Sequence, residues 1–170
     1  MKATKRVIIC GWTLVSLVGA GCSIEVRPDP IEEAARLADS LEAPLLAELE
    51  GYYDDLSGRD WPAFASHFWT GATITTAWQP PGETEISVVP QTVEEFVEQA
   101  PEGPGSREIF EEWIISSEIK VSGNLAHAWV RYGARFGDPG DVAEWEGIDS
   151  FALLNVGGTW KIAALVFDSE

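Results

Sequence analysis

The chain has 170 residues, of which 45% are hydrophobic and 23% are charged. This length and balance fit one globular domain with a single core, and they exclude a disordered chain and an eightfold α/β barrel. Asp and Glu number 28 against 11 Lys and Arg, which gives a formal net charge of −17. Nucleic acids and anionic membrane surfaces are bound through clustered cations, so we expect no nucleic acid and no direct membrane surface as a partner.

Residues 1–21 have the layout of a signal peptide for export. Cations at the start precede an apolar run from Val7 to Val18, which is shorter than the roughly 20 residues that span a bilayer. Small residues then lead to Cys22. This arrangement resembles a bacterial lipoprotein signal, which implies lipidation of Cys22 and anchoring of the exported chain to a membrane of the cell envelope. Secretion as a soluble or periplasmic protein is the alternative, and a retained anchor helix is a further one.

Helices are expected first along the mature chain. The composition of residues 31–42 favours a helix, and Pro44 is expected to open a second one. Apolar residues then recur at helical spacing until Gly58, where the pattern stops. Asp60 precedes a Trp-Pro pair and is predicted to cap a short further helix. We therefore expect residues 22–41 to form a tether and an extra helix ahead of the folded domain.

The rest of the chain is predicted to form mainly strands. A pair at 72–79 and 86–89 is followed by a helix that Thr92 and Glu95 would cap reciprocally. Four longer strands, separated by glycine-containing turns, are expected at 109–121, 125–136, 142–155 and 159–167. Helices followed by long antiparallel strands predict an α+β domain over residues 42–170, with the helices on one face of a curved sheet.

Metal and thiol chemistry have few candidate residues. Both cysteines lie within the first 22 residues, so the exported domain would have no disulfide and no thiol nucleophile. The only histidines are His67 and His127, too few for a zinc site built mainly from His or Cys. The adjacent Glu111 and Glu112 would point to opposite faces of a strand. We predict no metal and no cofactor.

Three stretches, taken in order, resemble the nuclear transport factor two-like superfamily, also called SnoaL-like. They are LLAELEGYYDDLSGRDW, SGNLAHAWVRY and GIDSFALLNVGGTWKIAALVF. The resemblance covers about residues 42–168. It implies a cone-like curved antiparallel sheet wrapped around the N-terminal helices, with a pocket inside the cone.

Ketosteroid isomerase is an enzyme of that shape, and the resemblance to it implies roles for single residues. Tyr52 matches its oxyanion tyrosine, and Asp149 matches its protonated carboxylic acid. Thr76, however, stands where its general base is expected. A threonine hydroxyl cannot abstract a carbon-bound proton near neutral pH, so we do not expect isomerase chemistry of that type.

The resemblance also selects the residues expected to face the pocket. It directs His127, Trp129 and Arg131 inward from one strand. Pairing Arg131 with Asp149 across the following turn makes the two charges face each other, either as an anchor for a ligand or as a structural ion pair. Tryptophan rings suit a pocket that stacks flat ligands. The predicted pocket lining is Trp78, Trp129, Arg131, Trp145 and Phe151.

The opposite face of the same strand offers an alternative core. Its apolar residues occupy alternate positions, at Ala126, Ala128, Val130 and Tyr132. If this face is buried, His127 and Arg131 lie on the surface instead. If it is the outer face, its apolar side chains would suit a homodimer interface.

Three functions are therefore weighed. The first is non-catalytic binding of a small apolar or aromatic molecule in the cone pocket. The second is a dehydratase, isomerase or lyase in which Asp149 and His127 transfer protons while Tyr52 polarises an oxygen. The third is a protein-interaction module that docks a partner or a second copy. The lack of a nucleophile, of a metal-binding set and of a base at Thr76 favours the first.

Overall fold

The computed structural model describes residues 29–78 and 84–169. The predicted export signal, Cys22 and the tether up to residue 28 lie outside the described residues. Within the described ranges, no helix combines the length and the apolar character needed to cross a membrane.

Three helices pack on one side of the described domain. α1 spans Pro30–Gly58, α2 spans Trp61–Ser66 and α3 spans Val93–Gln99. The Asp60 carboxylate accepts a hydrogen bond from the backbone N–H of Ala63 at 3.1 Å. Asp60 therefore caps α2 as the sequence predicts.

The start of α3 is fixed by a reciprocal pair of hydrogen bonds. The backbone N–H of Thr92 donates to the Glu95 carboxylate at 2.8 Å, and the backbone N–H of Glu95 donates to the Thr92 hydroxyl at 3.1 Å. This confirms the predicted capping box. The helix then presents Phe96 to the core, where its ring centroid lies 5.3 Å from that of Phe64.

α1 is one continuous helix, although Pro44 was expected to start a second one. Pro44 lies inside it, so the predicted break is wrong. An interior proline removes the hydrogen bond to the carbonyl four residues earlier, at a cost of about 3 kcal/mol. That carbonyl belongs to Ser40, which is exposed like Pro44, so water can satisfy it. The φ angle of proline also suits a helix, and the buried Leu45 and Leu49 continue the helical spacing.

Six described strands form one mixed sheet. Their bounds are β1 Phe68–Trp78, β2 Ser87–Thr92, β3 Ile109–Ser122, β4 Leu125–Asp138, β5 Asp141–Val156 and β6 Thr159–Ser169. The order across the sheet is β2-β1-β6-β5-β4-β3, and only β1 and β6 run parallel to each other. α1 packs against β3 and β6, and α3 packs against β1. The predicted α+β arrangement, with helices on one face of a curved sheet, is confirmed.

The β4–β5 hairpin has a register one residue away from the predicted one. Asp138 pairs with Asp141, which leaves a two-residue turn between them. Asp149 therefore pairs with Val130, and the predicted pairing of Asp149 with Arg131 is wrong. A slip of one residue moves every side chain of a strand to the other face.

This register buries the apolar face of β4. The buried residues are Ala126, Ala128, Val130 and Tyr132. The alternating His127, Trp129 and Arg131 are exposed on the outer face. Burial of hydrocarbon is favourable, whereas a buried guanidinium or imidazole requires compensating partners. The inward orientation predicted for these three residues is therefore wrong, and the alternative core is confirmed.

Candidate functional site

A cavity of about 190 Å³ lies between the buried face of the sheet and the helices. Much of its wall is apolar and comes from four different elements: Leu56 of α1, Phe96 of α3, Phe110 of β3, and Leu165 and Phe167 of β6. Four side chains that carry oxygen complete it, namely Tyr52, Glu112, Tyr132 and Asp149. We call this space the cone cavity.

Asp149 projects into the cone cavity from β5. It is 3% exposed and is the one charged residue among the fully buried described residues. The buried hydroxyl of Tyr53, which follows Tyr52 on α1, donates a hydrogen bond to its Oδ2. Burial raises the pKa of Asp149 to about 7, and the hydrogen bond from Tyr53 opposes that shift. The group therefore titrates near neutral pH.

Glu112 reaches the same cavity from β3. Its backbone is tied to α1, because its N–H donates to Ser57 Oγ at 2.8 Å while Ser57 Oγ donates to its carbonyl at 3.0 Å. Burial raises the pKa of Glu112 to about 8, and the nearby Asp149 charge adds to the shift. Glu112 is partly exposed and lines the cavity. Two carboxyl groups thus share one small space and are both favoured in their protonated form.

Two tyrosine hydroxyls line the cavity beside these carboxyl groups. Burial, with the charges of Asp149 and Glu112, raises the pKa of Tyr52 well above its usual value. Burial likewise raises the pKa of Tyr132. A hydrogen bond with Trp145 lowers this pKa by a smaller amount. Both hydroxyls therefore remain protonated and can donate hydrogen bonds.

Gly147 makes room for one of these rings. It pairs with Tyr132 across the β4–β5 hairpin. A Cβ atom at this position would overlap the Tyr132 hydroxyl and the backbone carbonyl of Asp168. The absence of a side chain at Gly147 is thus a condition for the observed position of the Tyr132 phenol.

The chemistry of the cone cavity follows from this inventory. A protonated carboxyl group donates a hydrogen bond, and its ionised form accepts a proton. No Lys, Arg or His is among the described residues that line the cavity. Within the described ranges, no group of three or more His, Cys, Asp or Glu is arranged to hold a metal ion. The arrangement is suited to hydrogen bonding and proton transfer at an oxygen or carbon of a small neutral molecule.

The structure places several predicted site residues in or beside the cone cavity. Tyr52 and Asp149 both line it. Phe151 is fully buried in the core, and its ring centroid lies 5.3 Å from that of Tyr52. Trp145 is partly buried and does not line the cavity, but it forms a hydrogen bond with Tyr132, which does. Trp78 ends β1, and its side chain lies outside the described part.

The other predicted site residues lie on the opposite face of the sheet. His127 Nε2 is 3.0 Å from Ser150 Oγ, and Arg131 Nε donates to the Glu146 carboxylate at 2.6 Å. Trp129 is 49% exposed. These three residues cannot line the cone cavity, and His127 cannot share a ligand there with Asp149. The predicted acid–base pairing of His127 with Asp149 is therefore wrong.

Glu112 and Tyr53 were missed in the sequence. Glu112 lies between Phe110 and Ile114, and this alternation with apolar residues is the signal that places it on the buried face of β3. Its neighbour Glu111 is exposed and accepts a hydrogen bond from Arg135 at 3.1 Å. The predicted opposition of the two glutamates is confirmed.

No protein-family model and no curated protein sequence matches the chain. Several solved structures match the chain. A nuclear transport factor two-like protein of unknown function from Silicibacter pomeroyi is 20% identical, with a TM-score of 0.55 over 78% of this chain and 98% of that one. A candidate dehydratase of the same family from Streptomyces avermitilis is 12% identical, with a TM-score of 0.61 over 78% and 98%. The beta subunit of benzoate 1,2-dioxygenase from Burkholderia mallei is 15% identical, with a TM-score of 0.59 over 75% and 89%.

These likenesses define the class of fold. The chain has the nuclear transport factor two-like fold, a curved mixed sheet of six strands closed by N-terminal helices. Its structural neighbours include a candidate dehydratase, a dioxygenase subunit and proteins of unknown function. At these identities the likeness extends to the fold alone.

Proposed function

We propose that the chain binds a small, mostly apolar neutral molecule in the cone cavity and does not transform it. The observation that carries this proposal is a pair of carboxyl groups, the buried Asp149 and the partly buried Glu112, facing an apolar space with no cation among its described lining residues. Such a site favours a ligand with a carbonyl or hydroxyl oxygen. The carboxyl groups and Tyr52 would then hydrogen-bond that oxygen.

The size of the cavity supports a ligand with a single ring. Its volume is about 190 Å³, and an apolar protein cavity of about 150 Å³ is known to hold benzene. The rings of Phe96, Phe110 and Phe167 form much of the wall and suit contact with a flat apolar molecule.

The charge of the cavity supports a neutral ligand over an anionic one. A carboxylate ligand would meet two carboxyl groups and two phenols and would find no cation among the described lining residues. Its charge would be desolvated with neutral hydrogen-bond donors but without a cationic partner, which is costly in a buried site. A ketone or phenol avoids this cost and can accept or donate hydrogen bonds.

Titration of the intact chain with acetophenone, followed by protein NMR, tests this proposal. We expect signals of residues around the cavity to shift with acetophenone and to stay in place with benzoate. Asp149→Asn and Glu112→Gln should change the affinity, whereas Glu111→Gln, on the outer face, should not. Equal binding of benzoate, or no shift with any neutral ring compound, would overturn the proposal.

A proton-transfer enzyme is the second candidate function. It is favoured by the two carboxyl groups, because burial raises the pKa of Asp149 to about 7 and that of Glu112 to about 8. One group can be ionised and act as a base while the other is protonated and acts as an acid. In a dehydration, the base takes a proton from carbon and the acid protonates the hydroxyl group that leaves as water. The fold neighbour described as a candidate dehydratase is consistent with this chemistry.

Hydrogen–deuterium exchange separates catalysis from simple binding. If the pair transfers protons, the chain should speed the exchange of the methyl protons of acetophenone in heavy water, as followed by ligand NMR. Asp149→Asn should lower that rate at least tenfold. Binding without any acceleration would leave the first proposal standing and reject the second.

We also propose that the chain is exported and carries lipid on Cys22. The support is the sequence pattern of cations, apolar run and small residues before this cysteine. Mass spectrometry of the protein from its native host tests the proposal. A mature chain that begins at Cys22 with added acyl mass is expected, and a chain that retains residues 1–21 would contradict it.

A homodimer through the outer face of the sheet is a further proposal. This face exposes large apolar side chains at 41–52% of their surface, which in a monomer is an unfavourable strip. The strip comprises Trp113, Ile115, Trp129, Leu154 and Val166. Light scattering after size exclusion should give twice the monomer mass, and Trp129→Lys should reduce it. A monomer at high concentration would contradict this proposal.

A further inference from the structure

A groove of about 730 Å³ lies between α2, the start of β1 and α3. Its volume falls within the roughly 300–1,000 Å³ typical of sites for small molecules. It shares no lining residue with the cone cavity. A ligand in this groove would therefore be separate from one in the cone cavity, and the residues of the groove walls indicate its chemical class.

Two tryptophan rings with fixed surroundings form part of these walls. The indole N–H of Trp69 donates to the backbone carbonyl of Leu154 at 3.0 Å. The Trp61 ring lies against Phe64, with centroids 6.1 Å apart at an angle of 84°. Both rings line the groove and are only partly buried. They offer aromatic surface that a ligand could contact without first ordering the side chains.

The charge in the groove has one sign. Glu94 and Glu98 are its only charged lining residues in the described part of the chain. They lie four residues apart on α3, so both carboxylates occupy the same side of that helix. Both are exposed, and among the described residues neither has an ion-pair partner. The formal charge of −17 for the whole chain reinforces the attraction for a cation.

The aromatic walls favour an organic cation over a metal ion. Tryptophan is the aromatic side chain that attracts cations most strongly. Lys161 is not among the lining residues, but its ammonium lies 5.7 Å from the centroid of the Trp69 ring, so this ring is accessible to a cation. A bare divalent ion would require more oxygen ligands than two carboxylates supply. An alkylated ammonium can instead place its apolar groups on the rings and its charge near the carboxylates.

We propose that this groove binds a hydrophobic organic cation, with the ammonium group between the tryptophan rings and the carboxylates of Glu94 and Glu98. The apolar part of the ligand lies along Val93 and Val97 of α3. The proposal is independent of the cone cavity, because no lining residue is common to the two sites.

Titration of the intact chain with benzyltrimethylammonium tests the proposal. The readout is the pair of indole N–H signals in the NMR spectrum, assigned through the Trp61→Phe and Trp69→Phe variants. We expect the cation to shift both signals. Neopentylbenzene, which has the same shape without the charge, should bind at least about fivefold more weakly, because cation–aromatic and carboxylate attractions are then lost.

The carboxylates provide the second arm of the test. The double substitution Glu94→Gln and Glu98→Gln should raise the Kd for benzyltrimethylammonium about fivefold, since each exposed carboxylate contributes modestly. Glu102→Gln, which removes an exposed carboxylate outside the groove, is the matched control and should leave Kd unchanged. Unmoved indole signals, or an unchanged Kd in the double variant, would overturn the proposal. Equal affinity for the uncharged analogue would do the same.

Discussion

At the scale of single residues, the fold holds Glu112 and Asp149 where their charged forms are unfavourable. Burial raises their pKa values to about 8 and about 7, against about 4 in an unfolded chain. Between these limits the folded state binds more protons than the unfolded state, so the free energy of unfolding falls as pH rises. Each group contributes a slope of at most about 1.4 kcal/mol per pH unit.

Glu112→Gln isolates the contribution of one group to this pH dependence. The variant lacks one ionisation, so its free energy of unfolding should fall less steeply between about pH 5 and pH 8 than that of the unsubstituted chain. Urea unfolding across this range measures the difference. Glu111→Gln is the matched control, because its side chain is exposed on the outer face beside Arg135. Parallel pH curves for Glu112→Gln and the unsubstituted chain would contradict the raised pKa of Glu112.

Tyr53 is expected to lower the pKa of Asp149. Its hydroxyl donates a hydrogen bond to the Asp149 carboxylate, and this bond lowers the pKa that burial raises. Tyr53→Phe should therefore raise the pKa of Asp149 further, because the ionised form loses a donor. Carbon NMR of the carboxyl group during a pH titration measures the shift. Tyr52→Phe, which changes the other ring of the pair, should not remove this bond. An unchanged pKa in Tyr53→Phe would show that the hydroxyl does not act on Asp149.

Gly147 is a test of how tightly the cavity wall is packed. Gly147→Ala would place a methyl group against the Tyr132 hydroxyl and the Asp168 carbonyl. Overpacking of this kind costs about 1–3 kcal/mol, so we expect a loss of that order in urea unfolding. Gly58→Ala, where a Cβ atom would meet nothing within 4 Å, is the control for a glycine substitution without a clash. Equal stability of Gly147→Ala and the unsubstituted chain would mean that Tyr132 can move aside.

At the scale of the elements, Pro44 lies in the interior of the continuous helix α1. Pro44→Ala should therefore stabilise the chain, by up to about 3 kcal/mol, because it restores a helical hydrogen bond. The rise in the midpoint of thermal unfolding, followed by circular dichroism, measures this. If Pro44 began a helix instead, its loss would be neutral or unfavourable. A lower midpoint in Pro44→Ala would thus contradict the continuous helix.

The strands and caps could be predicted from the sequence, but the register could not. Periodicity and turn residues are local signals, and they located β3 to β6 to within two residues of their bounds at each end. The predicted register pairs Asp149 with Arg131, whereas the structure pairs it with Val130. The two registers differ by one residue. Because strand side chains alternate, that single step moves the predicted β4 residues His127, Trp129 and Arg131 to the outer face, whereas Asp149 of β5 stays inside. The alternation of apolar residues along β4 indicates the correct buried face.

The site was predicted only in part for a related reason. Tyr52 and Asp149 were predicted from the resemblance to an enzyme of the same shape, and both line the cone cavity. Glu112 has no such counterpart, and its role depends on a contact between β3 and α1 that is distant in sequence. The hydrogen bonds between Ser57 and Glu112 span 55 positions. Only the folded arrangement brings Glu112 and Asp149 to one cavity.

At the scale of the whole molecule, the charge of −17 is a source of self-repulsion. The described surface contains ion pairs that oppose it, including Arg131 with Glu146 and Arg135 with Glu144. Exposed pairs of this kind contribute about 0–1 kcal/mol each. Because 28 Asp and Glu face only 11 Lys and Arg, repulsion should outweigh attraction.

Salt should therefore stabilise the chain. Raising the ionic strength from about 0.01 M to about 0.15 M shortens the screening length from about 30 Å to about 8 Å, which weakens repulsion between distant carboxylates more than contacts within an ion pair. Unfolding by urea, which is uncharged, measures the change in free energy at each sodium chloride concentration. Sucrose at matched osmolality is the control for effects unrelated to charge. A free energy of unfolding that falls with salt would show that the ion pairs on the outer face dominate the electrostatics of the folded state.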